Sequence, residues 1–218
     1  MSSAHHSECP ADGVAAGEKS LELLSYRAPL TIFGDWLNDA MAAEKINPNA
    51  MTLATVGDDG MPQARSVLLK SFDENGFVFY ANRKSRKGQA LLSRPLAALL
   101  FYWRPLARQV LIEGRTRELS RAEVECYFNT RPRDSRIGAW ASEQSRPMKN
   151  LAALQAAFAA RPKEFAGSEP PLPPEWSGFC LLPLRIEFWR ERKNRLHQRL
   201  VFWRSEAGDA WQTAFLQP

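Results

Sequence analysis

Between residues 51 and 82 the chain reads as three consecutive β-strands joined by two tight turns. The segments MTLATVG, PQARSVLLKSF and FVFYAN carry the strand pattern, and DDG and DENG separate them. Such turns join neighbouring antiparallel strands, because glycine tolerates the backbone angles of a tight hairpin. In the second strand, alternation predicts one face with Arg65, Val67 and Leu69 and another with Ser66, Leu68 and Lys70. Hairpins of this kind favour an antiparallel sheet or barrel over a doubly wound parallel sheet.

Four helices are predicted around these strands. The first begins at Pro29, a favourable first-turn residue. Its apolar stripe at helical spacing consists of Leu30, Phe33, Trp36, Leu37, Ala40 and Met41. Ser85 is placed to cap a short helix in SRKGQALLS, and Ser120-x-x-Glu123 forms a capping box before RAEVECYFNT. Pro132 is expected to end that helix near Arg131. The last helix lies in SRPMKNLAALQAAFAARPKEF, with the stripe Leu151, Leu154, Ala157 and Phe158.

The remaining strand-like segments are LAALLFYW, RQVLIEGRTREL, FCLLPLRIEFW, NRLHQRLVFWR and AWQTAFL. The predicted class is therefore mainly β with packed helices, an α+β fold with antiparallel strands. The 218 residues contain no internal repeat and no linker strong enough to divide the chain. We predict one domain over residues 29–218, preceded by a mobile N-terminal tail over residues 1–28, whose first twenty positions are small and polar.

Charge and cysteine content argue against several classes of protein. The net charge of +5 is mild, and the basic residues cluster at 83–87, 131–136 and 190–199. Short basic clusters suit small anions at least as well as a nucleic acid. Three cysteines without CxxC and three histidines without HxxxH argue against a disulfide framework and a metal site. With no secretory signal and no run of eighteen apolar residues, we expect a cytoplasmic protein with no membrane partner.

The first basic cluster is predicted to hold a phosphate. Arg65 and Lys70 bracket one strand, and Arg86 and Lys87 lie on the first turn of a helix. A helix N-terminus with adjacent arginine and lysine attracts phosphate. Neither GxxxxGK[ST] nor GxGxxG is present, so a P-loop or a Rossmann turn does not explain the cluster. The simpler interpretation is a solvated charged loop.

The second cluster lies in YFNTRPRDSRIGAW. Tyr127 and Arg131 are four residues apart and share a helix face, and Ser135 is placed to cap the next helical turn beyond Pro132. A tyrosine hydroxyl, a guanidinium, a serine hydroxyl and helix N–H groups together suit a phosphate monoester. The alternative is an interhelical turn with exposed charges.

The third cluster lies in EFWRERKNRLHQRLVFW. On a strand, Arg195, His197 and Arg199 would line one face, with Trp189 just upstream, and such a face would suit an anion or a flat ring. The alternative is the polar outer face of an edge strand.

Seven segments in order resemble the pyridoxine/pyridoxamine 5′-phosphate oxidases. They are RSVLLK, SRKGQ, RQVLIEG, YFNTRPRDSRIGAWAS-QS, PLPPEWSGF, IEFW and RLHQR, and the likeness extends from about Pro29 to Pro218. The resemblance implies an antiparallel split β-barrel that binds FMN and works as a homodimer with FMN at the subunit interface. The matched FMN residues would be Arg65, Lys70, Tyr80, Ala81, Arg86, Lys87, Gln109, Gln144, Ser145, Trp189 and Arg199. The phosphorylated pyridine substrate would contact Lys70, Tyr127, Arg131, Ser135, Arg195 and His197.

The implied reaction is the oxidation of pyridoxamine or pyridoxine 5′-phosphate to pyridoxal 5′-phosphate. The substrate C4′ would give a hydride equivalent to the flavin, and O2 would then be reduced to H2O2. Arg195 and His197 would be the catalytic residues, with Arg195 stabilising the deprotonated substrate. Two departures are expected to affect ligand contacts. Ala81 stands where the family commonly has threonine, and SLELLSYRAPL lacks the family's Arg-x-x-Tyr segment.

Three alternatives remain at this point. A related flavin oxidase would act on another substrate, such as a phenazine precursor. A non-catalytic protein would hold FMN or pyridoxal phosphate as a carrier or sensor. A nucleic-acid binder would need aromatic and basic residues interleaved on one exposed surface, and we expect no nucleic-acid partner.

Overall fold

The computed structural model describes residues 20–218, in which nine strands form one antiparallel sheet. The helices are α1 (Leu21–Leu24), α2 (Pro29–Ala43), α3 (Arg86–Ser93), α4 (Arg121–Thr130), α5 (Arg133–Ala141) and α6 (Leu151–Glu164). The strands are β1 (Ala50–Val56), β2 (Pro62–Leu68), β3 (Ser71–Asp73), β4 (Gly76–Asn82), β5 (Leu96–Trp103), β6 (Arg108–Glu118), β7 (Trp176–Arg190), β8 (Gln198–Trp203) and β9 (Gln212–Leu216). No helix among these residues is long and apolar enough to cross a bilayer.

The sheet runs β2-β1-β5-β6-β7-β4-β3 and curls into a half-barrel, as the antiparallel prediction requires. The prediction of one strand over residues 62–72 is wrong, because these residues belong to two strands, β2 and β3. The Leu69 N–H donates to the Asn49 carbonyl on the β1 side, whereas the Lys70 N–H donates to the Val78 carbonyl of β4. The chain therefore changes partner between these two residues, and this brings the two ends of the strand order together.

Strand β7 is fifteen residues long, and its two halves pair with different strands along one edge. Strand β6 pairs with one edge over almost its whole length. On the other edge, β4 pairs with residues 176–181 and β8 pairs with residues 185–190. The first and second halves of β7 therefore carry different neighbours.

The main core lies between α2 and the concave face of the sheet. Phe33 of α2 is fully buried and meets Phe72, Phe77 and Phe101 edge-on at 4.8 to 5.1 Å between ring centroids. The predicted stripe of α2 is buried except at its margins, where Leu30 is only partly buried and Met41 is 60% exposed. Met41 therefore does not belong to the core.

The N-terminal boundary lies earlier than the predicted end of the tail. Leu21 and Leu24 of α1 are buried in the main core, although both fall within residues 1–28. The rest of the predicted tail, residues 1–19, lies outside the described residues.

Helix α6 forms where it was predicted, but its apolar stripe is not buried within this chain. Leu151 is 61% exposed and Phe158 is 46% exposed. The stripe was inferred from spacing alone, and spacing does not say whether a neighbouring element covers it.

Candidate functional site

The N-terminus of α3 carries the first predicted phosphate site. The Ser85 hydroxyl accepts a hydrogen bond from the Gly88 N–H and donates to the Asn82 carbonyl, so the predicted cap is confirmed. A Cβ on Gly88 would lie 2.4 Å from the Asn82 carbonyl oxygen, so only glycine allows this close turn. Arg86 and Lys87 are thereby held on the first turn of the helix, as predicted.

Arg65 lies beside this turn on the inward face of β2. Its guanidinium donates to the Thr55 hydroxyl at 2.7 Å and to the Gln63 side-chain oxygen at 3.0 Å, both of which are neutral acceptors. Burial, and then the charge of Arg86, lowers the pKa of Arg65. Burial, and then the charge of Arg65, lowers the pKa of Lys87. Within the described residues none of the three cations has an ion pair with a carboxylate, so the cluster is suited to an external anion.

Residues from elsewhere in the chain meet at this cluster. The Gln144 side-chain oxygen accepts from the Lys87 ammonium at 2.8 Å and from the Asn82 N–H at 3.3 Å. Ser145 follows with a positive φ of 70°. Lys70 is exposed, and its N–H donates to the Val78 carbonyl of β4. This bond places Lys70 beside β4, near the position of Tyr80 two residues further along that strand. Ala81 is buried with its side chain in the main core, so only its backbone is available to a ligand.

A stack of aromatic rings forms the second predicted site. Tyr80 lies parallel to Tyr127 at 4.1 Å and to Trp176 at 4.9 Å between ring centroids. The Arg131 guanidinium lies over the Trp176 ring at 4.9 Å, and its buried Nη1 has no hydrogen-bond partner. Burial lowers the pKa of Arg131, against the opposing effect of Tyr127. Burial, followed by Tyr127, also raises the pKa of Tyr80 to about 12. The result is a desolvated cation in the same cluster as the neutral phenol of Tyr80.

Two details of this site differ from the prediction. Helix α4 ends at Thr130, so Arg131 follows the helix that carries Tyr127, although Tyr127 still influences the pKa of Arg131. Ser135 is not a cap: α5 begins at Arg133, and its N-cap is Pro132, which makes no side-chain bond. Ser135 is instead an exposed residue of the first turn of α5.

Trp176 is a site residue that sequence reasoning missed, although it lies within the quoted segment PLPPEWSGF. The loop before Trp176 is held by side chains that donate hydrogen bonds to its backbone carbonyl groups. Arg121 donates to the Leu172 carbonyl at 2.7 Å and to the Pro173 carbonyl at 2.9 Å. Arg133 donates to the carbonyls of Phe165 and Ser168, and the Trp140 indole donates to that of Pro171. Arg133 in the predicted anion cluster is therefore structural, and so is Arg136, which pairs with Glu169.

A third group of predicted residues crosses three neighbouring strands. In the register of the sheet, Gln109 of β6 lies opposite Trp189 of β7, which lies opposite Arg199 of β8. The His197 ring lies 4.8 Å from the Trp189 ring. Its Nδ1 accepts the Arg192 N–H at 3.2 Å, so Nε2 carries the proton when this histidine is neutral.

The predicted alternation of Arg195, His197 and Arg199 on one strand is wrong. Strand β8 begins at Gln198, and Arg195 lies in a 3₁₀ turn, Lys193–Arg195, with a φ of 60°. Asn194 precedes it with a φ of 56°. Two successive residues in the left-handed region break the strand, so Arg195 is exposed on a turn tip rather than aligned with Arg199.

The predicted residues therefore form two groups at opposite ends of β7. Tyr80 lies opposite Gly178, and Gln109 lies opposite Trp189. These two positions of β7 are eleven residues apart, which corresponds to about 36 Å of strand. The groups centred on Tyr80 and on Trp189 thus do not meet within one copy of the chain.

Two family models cover most of the chain. The model described as pyridoxamine 5′-phosphate oxidase matches residues 37–161, more than half of the 218 residues. The chain belongs to the pyridoxamine 5′-phosphate oxidase family. A second model, described as the C-terminal dimerisation region of pyridoxine 5′-phosphate oxidase, matches residues 176–218. This region contains β7 to β9 and supports a homodimer.

Curated relatives and solved structures agree with this membership of the oxidase family. Proteins named pyridoxine/pyridoxamine 5′-phosphate oxidase are 50% identical in Azorhizobium caulinodans, over 87% of this chain and 90% of the relative, and in Caulobacter vibrioides, over 90% and 87%. PhzG from Burkholderia lata, solved with tetrahydrophenazine-1-carboxylic acid, has a TM-score of 0.81 and 34% identity over 87% of this chain and 92% of its own. A pyridoxamine 5′-phosphate oxidase-related, FMN-binding protein of Nostoc punctiforme shares the fold, with a TM-score of 0.70 and 17% identity over 88% and 99%. The chain is thus an oxidoreductase with the split-barrel fold.

Proposed function

We propose that this protein is an FMN-dependent oxidase that converts pyridoxamine and pyridoxine 5′-phosphate to pyridoxal 5′-phosphate, with O2 reduced to H2O2. The observation that carries the proposal is the presence of two separate cationic sites. One is the Arg65 cluster at α3 and the other is Arg131 on Trp176. Each is desolvated, and neither is neutralised by a carboxylate of the described residues. Two phosphorylated aromatic molecules, a cofactor and a substrate, would satisfy both.

The cluster at α3 fits the phosphate of FMN. Burial, and then the charge of a neighbouring arginine, lowers the pKa of both Arg65 and Lys87, and a phosphate dianion would oppose both effects. Gln144 adjoins the cluster through its bond from Lys87, and Ser145 follows it in the chain. Lys70 would contact both ligands from its position beside β4.

The Arg131 site fits the phosphate of the substrate. The free Nη1 of Arg131 is an unsatisfied buried donor, which is costly until an acceptor arrives. The Tyr127 hydroxyl, the Ser135 hydroxyl and the N–H groups of the first turn of α5 would complete the contacts. A high pKa keeps Tyr80 neutral, so its phenol does not repel the anion.

We infer that the group centred on Trp189 completes the site of a second copy of the chain. About 36 Å of strand separates it from Tyr80 in one copy, far beyond the reach of one flavin ring. Trp189, Arg195, His197 and Arg199 all lie within the matched dimerisation region, residues 176–218. In this arrangement FMN lies at the subunit interface and contacts Gln109, Trp189 and Arg199 of one copy.

FMN, when bound, would supply the oxidising power for the two-electron oxidation of the substrate, with O2 as the final electron acceptor. The alcohol substrate and O2 then give the aldehyde and H2O2, and the amine also consumes water and releases ammonia. The chain would position the reactants and stabilise the charge that develops on them. Arg195, a permanent cation on a turn tip, would stabilise the deprotonated alcohol or amine, and His197 would offer its Nε2 proton to the pyridine ring.

The spectrum of the purified protein tests the proposed function. We expect flavin absorption bands that bleach when pyridoxamine 5′-phosphate is added without oxygen. Admitting air should restore the bands and yield pyridoxal 5′-phosphate and H2O2. Bands that the substrate leaves unchanged would refute the proposed substrate, and a colourless protein that FMN cannot reconstitute would refute the cofactor.

Hybrid dimers test the shared site separately. Arg131→Ala and Arg195→Leu impair different halves, so each variant alone should be inactive. A dimer with one copy of each variant contains one intact site of two. An equimolar mixture of refolded variants should therefore recover about a quarter of wild-type activity, because half of a random mixture is hybrid. A mixture as inactive as its components would contradict a site built from two copies.

A related oxidase of phenazine precursors is the second candidate, favoured by the structural likeness to PhzG. The phosphate site argues for the vitamin B6 substrates, because Arg131, Tyr127 and Ser135 have no evident use for an unphosphorylated ring. Turnover of pyridoxamine 5′-phosphate but not of pyridoxamine would decide between the two. Release of H2O2 during turnover would rule out a non-catalytic FMN or pyridoxal-phosphate binder.

We also propose that the protein is located in the cytoplasm.

A further inference from the structure

Glu187 is a buried acid for which the proposed reaction has no direct use. It lies in the second half of β7, on the same face as Trp189 two residues later, and is only 4% exposed. Its neighbours Ile186 and Phe188 point into the main core on the other face. A carboxylate is rarely buried unless it is paired, so its partners indicate its purpose.

Both carboxylate oxygens of Glu187 are bound by arginine. The Arg199 Nε donates to Oε1 at 2.6 Å, and the Arg185 Nη2 donates to Oε2 at 2.7 Å. Arg185 also donates from Nη1 to Glu113 at 2.9 Å. Two acids and two arginines thus form a row across β6, β7 and β8 without net charge.

The row keeps Glu187 ionised despite its burial. Burial by itself raises the pKa of Glu187, but the hydrogen bonds and positive charges of Arg199 and Arg185 together outweigh it, so the pKa is lowered. The charge on Glu187 therefore persists at neutral pH, and the bonds to both arginines are charge-assisted.

Two contacts fix the guanidinium of Arg199. Glu187 binds its Nε edge, and the Gln217 carbonyl accepts from its Nη1 at 3.0 Å. Neither contact uses the Arg199 Nη2 group, which stays available on the face that carries Trp189. Arg199 reaches Glu187 diagonally, since Arg199 lies opposite Trp189 whereas Val201 lies opposite Glu187.

We infer that Glu187 is a positioning residue that orients Arg199 for contact with FMN. The inference rests on the proposed function, in which Arg199 is an FMN contact. A long arginine side chain has many rotamers, and Glu187 removes that freedom before the cofactor binds. Arg185 neutralises the second oxygen but does not touch Arg199. Arg185 should therefore matter for stability and not for the cofactor.

The test compares Glu187→Gln with Arg185→Gln, two variants that each alter one of the two inner members of the same row. The measurement is the rate at which the diluted holoenzyme releases FMN, followed by flavin fluorescence, together with the thermal midpoint. We expect at least about tenfold faster release from Glu187→Gln and a change within about twofold for Arg185→Gln. Equal acceleration in both variants, or in neither, would overturn the inference.

Two further variants guard against a purely structural effect. If Glu187 acts through Arg199, adding Glu187→Gln to Arg199→Gln should not accelerate release beyond Arg199→Gln alone. Additive effects would overturn the inference. Glu187→Asp is the substitute test if Glu187→Gln does not fold. It keeps the charge but is one methylene too short to hold both arginines, so it should also release FMN faster than the wild type. A wild-type protein that never holds FMN would refute the proposed function, whereas a flavin-loaded Glu187→Asp with wild-type release would refute only the role of Glu187.

Discussion

Trp176→Leu should weaken binding of the phosphorylated substrate while leaving the fold intact. The substitution removes the ring under the Arg131 guanidinium, 4.9 Å away, and the ring stacked on Tyr80 at 4.9 Å. A partly desolvated cation–π contact contributes about 0.5 to 2 kcal/mol, and a stacked aromatic pair about 0.5 to 1.5 kcal/mol. Of the two neighbours of this ring, Arg131 is proposed to touch the phosphate and Tyr80 is not, so we assign about 1 to 2 kcal/mol to substrate binding. This corresponds to a roughly five- to thirtyfold increase in KM.

The assay is steady-state oxidation of pyridoxamine 5′-phosphate, with the thermal midpoint measured on the same preparations. Trp176→Phe retains a ring and should recover most of the lost affinity. Trp140→Phe is the matched control, because it removes the indole bond to the Pro171 carbonyl and loosens the same loop without touching Arg131. A wild-type KM in Trp176→Leu would refute the reasoning, and so would an equal rise in Trp140→Phe.

Three further predictions concern packing and protonation. Gly178→Ala should lower stability by about 1 to 3 kcal/mol, since its Cβ would meet the Leu119 Cδ1 at 2.7 Å and ring carbons of Tyr80 at 2.8 and 2.9 Å; an unchanged urea midpoint would contradict it. Glu187 has a lowered pKa when folded, so its stabilising effect is present above the unfolded value of about 4.3 and is lost as pH falls towards the folded value. Acid unfolding of Glu187→Gln should accordingly depend less steeply on pH than that of the wild type, and parallel curves would argue against this contribution. Tyr80 should stay protonated up to about pH 11, so Tyr80→Phe should leave tyrosinate absorbance below that pH unchanged; a missing titration step there would show that the phenol ionises normally.

Local patterns predicted the elements well because local forces form them. The hairpin turns, the Ser85 cap and the Ser120–Glu123 capping box depend on residues within four positions of each other, and all three are present. The cationic cluster at α3 could also be predicted, because two of its cations are adjacent on one helical turn.

Features that depend on distant partners could not be predicted in the same way. Alternation continued through Leu69 and Lys70, so nothing local marked the exchange of β1 for β4. Likewise the pattern of RLHQR suits a strand, but the positive φ of Asn194 and Arg195 breaks it. Trp176 was missed because its partners Tyr80 and Arg131 lie far away in sequence, and proximity in the fold is the only signal that joins them. The reaction itself was inferred from family resemblance rather than from any of these patterns.

Strand β7 limits how such a protein can change by insertion or deletion. One added residue in the middle of the strand would turn every following side chain to the opposite face, so Glu187 and Trp189 would enter the core and Phe188 would face outward. The one irregularity in its pairing with β6, between Glu113 and Gly114, lies before that stretch and leaves its alternation intact. Length variation is therefore tolerable in the turns that flank the sheet, whereas the spacing between the two groups of site residues is locked into the register of a single strand.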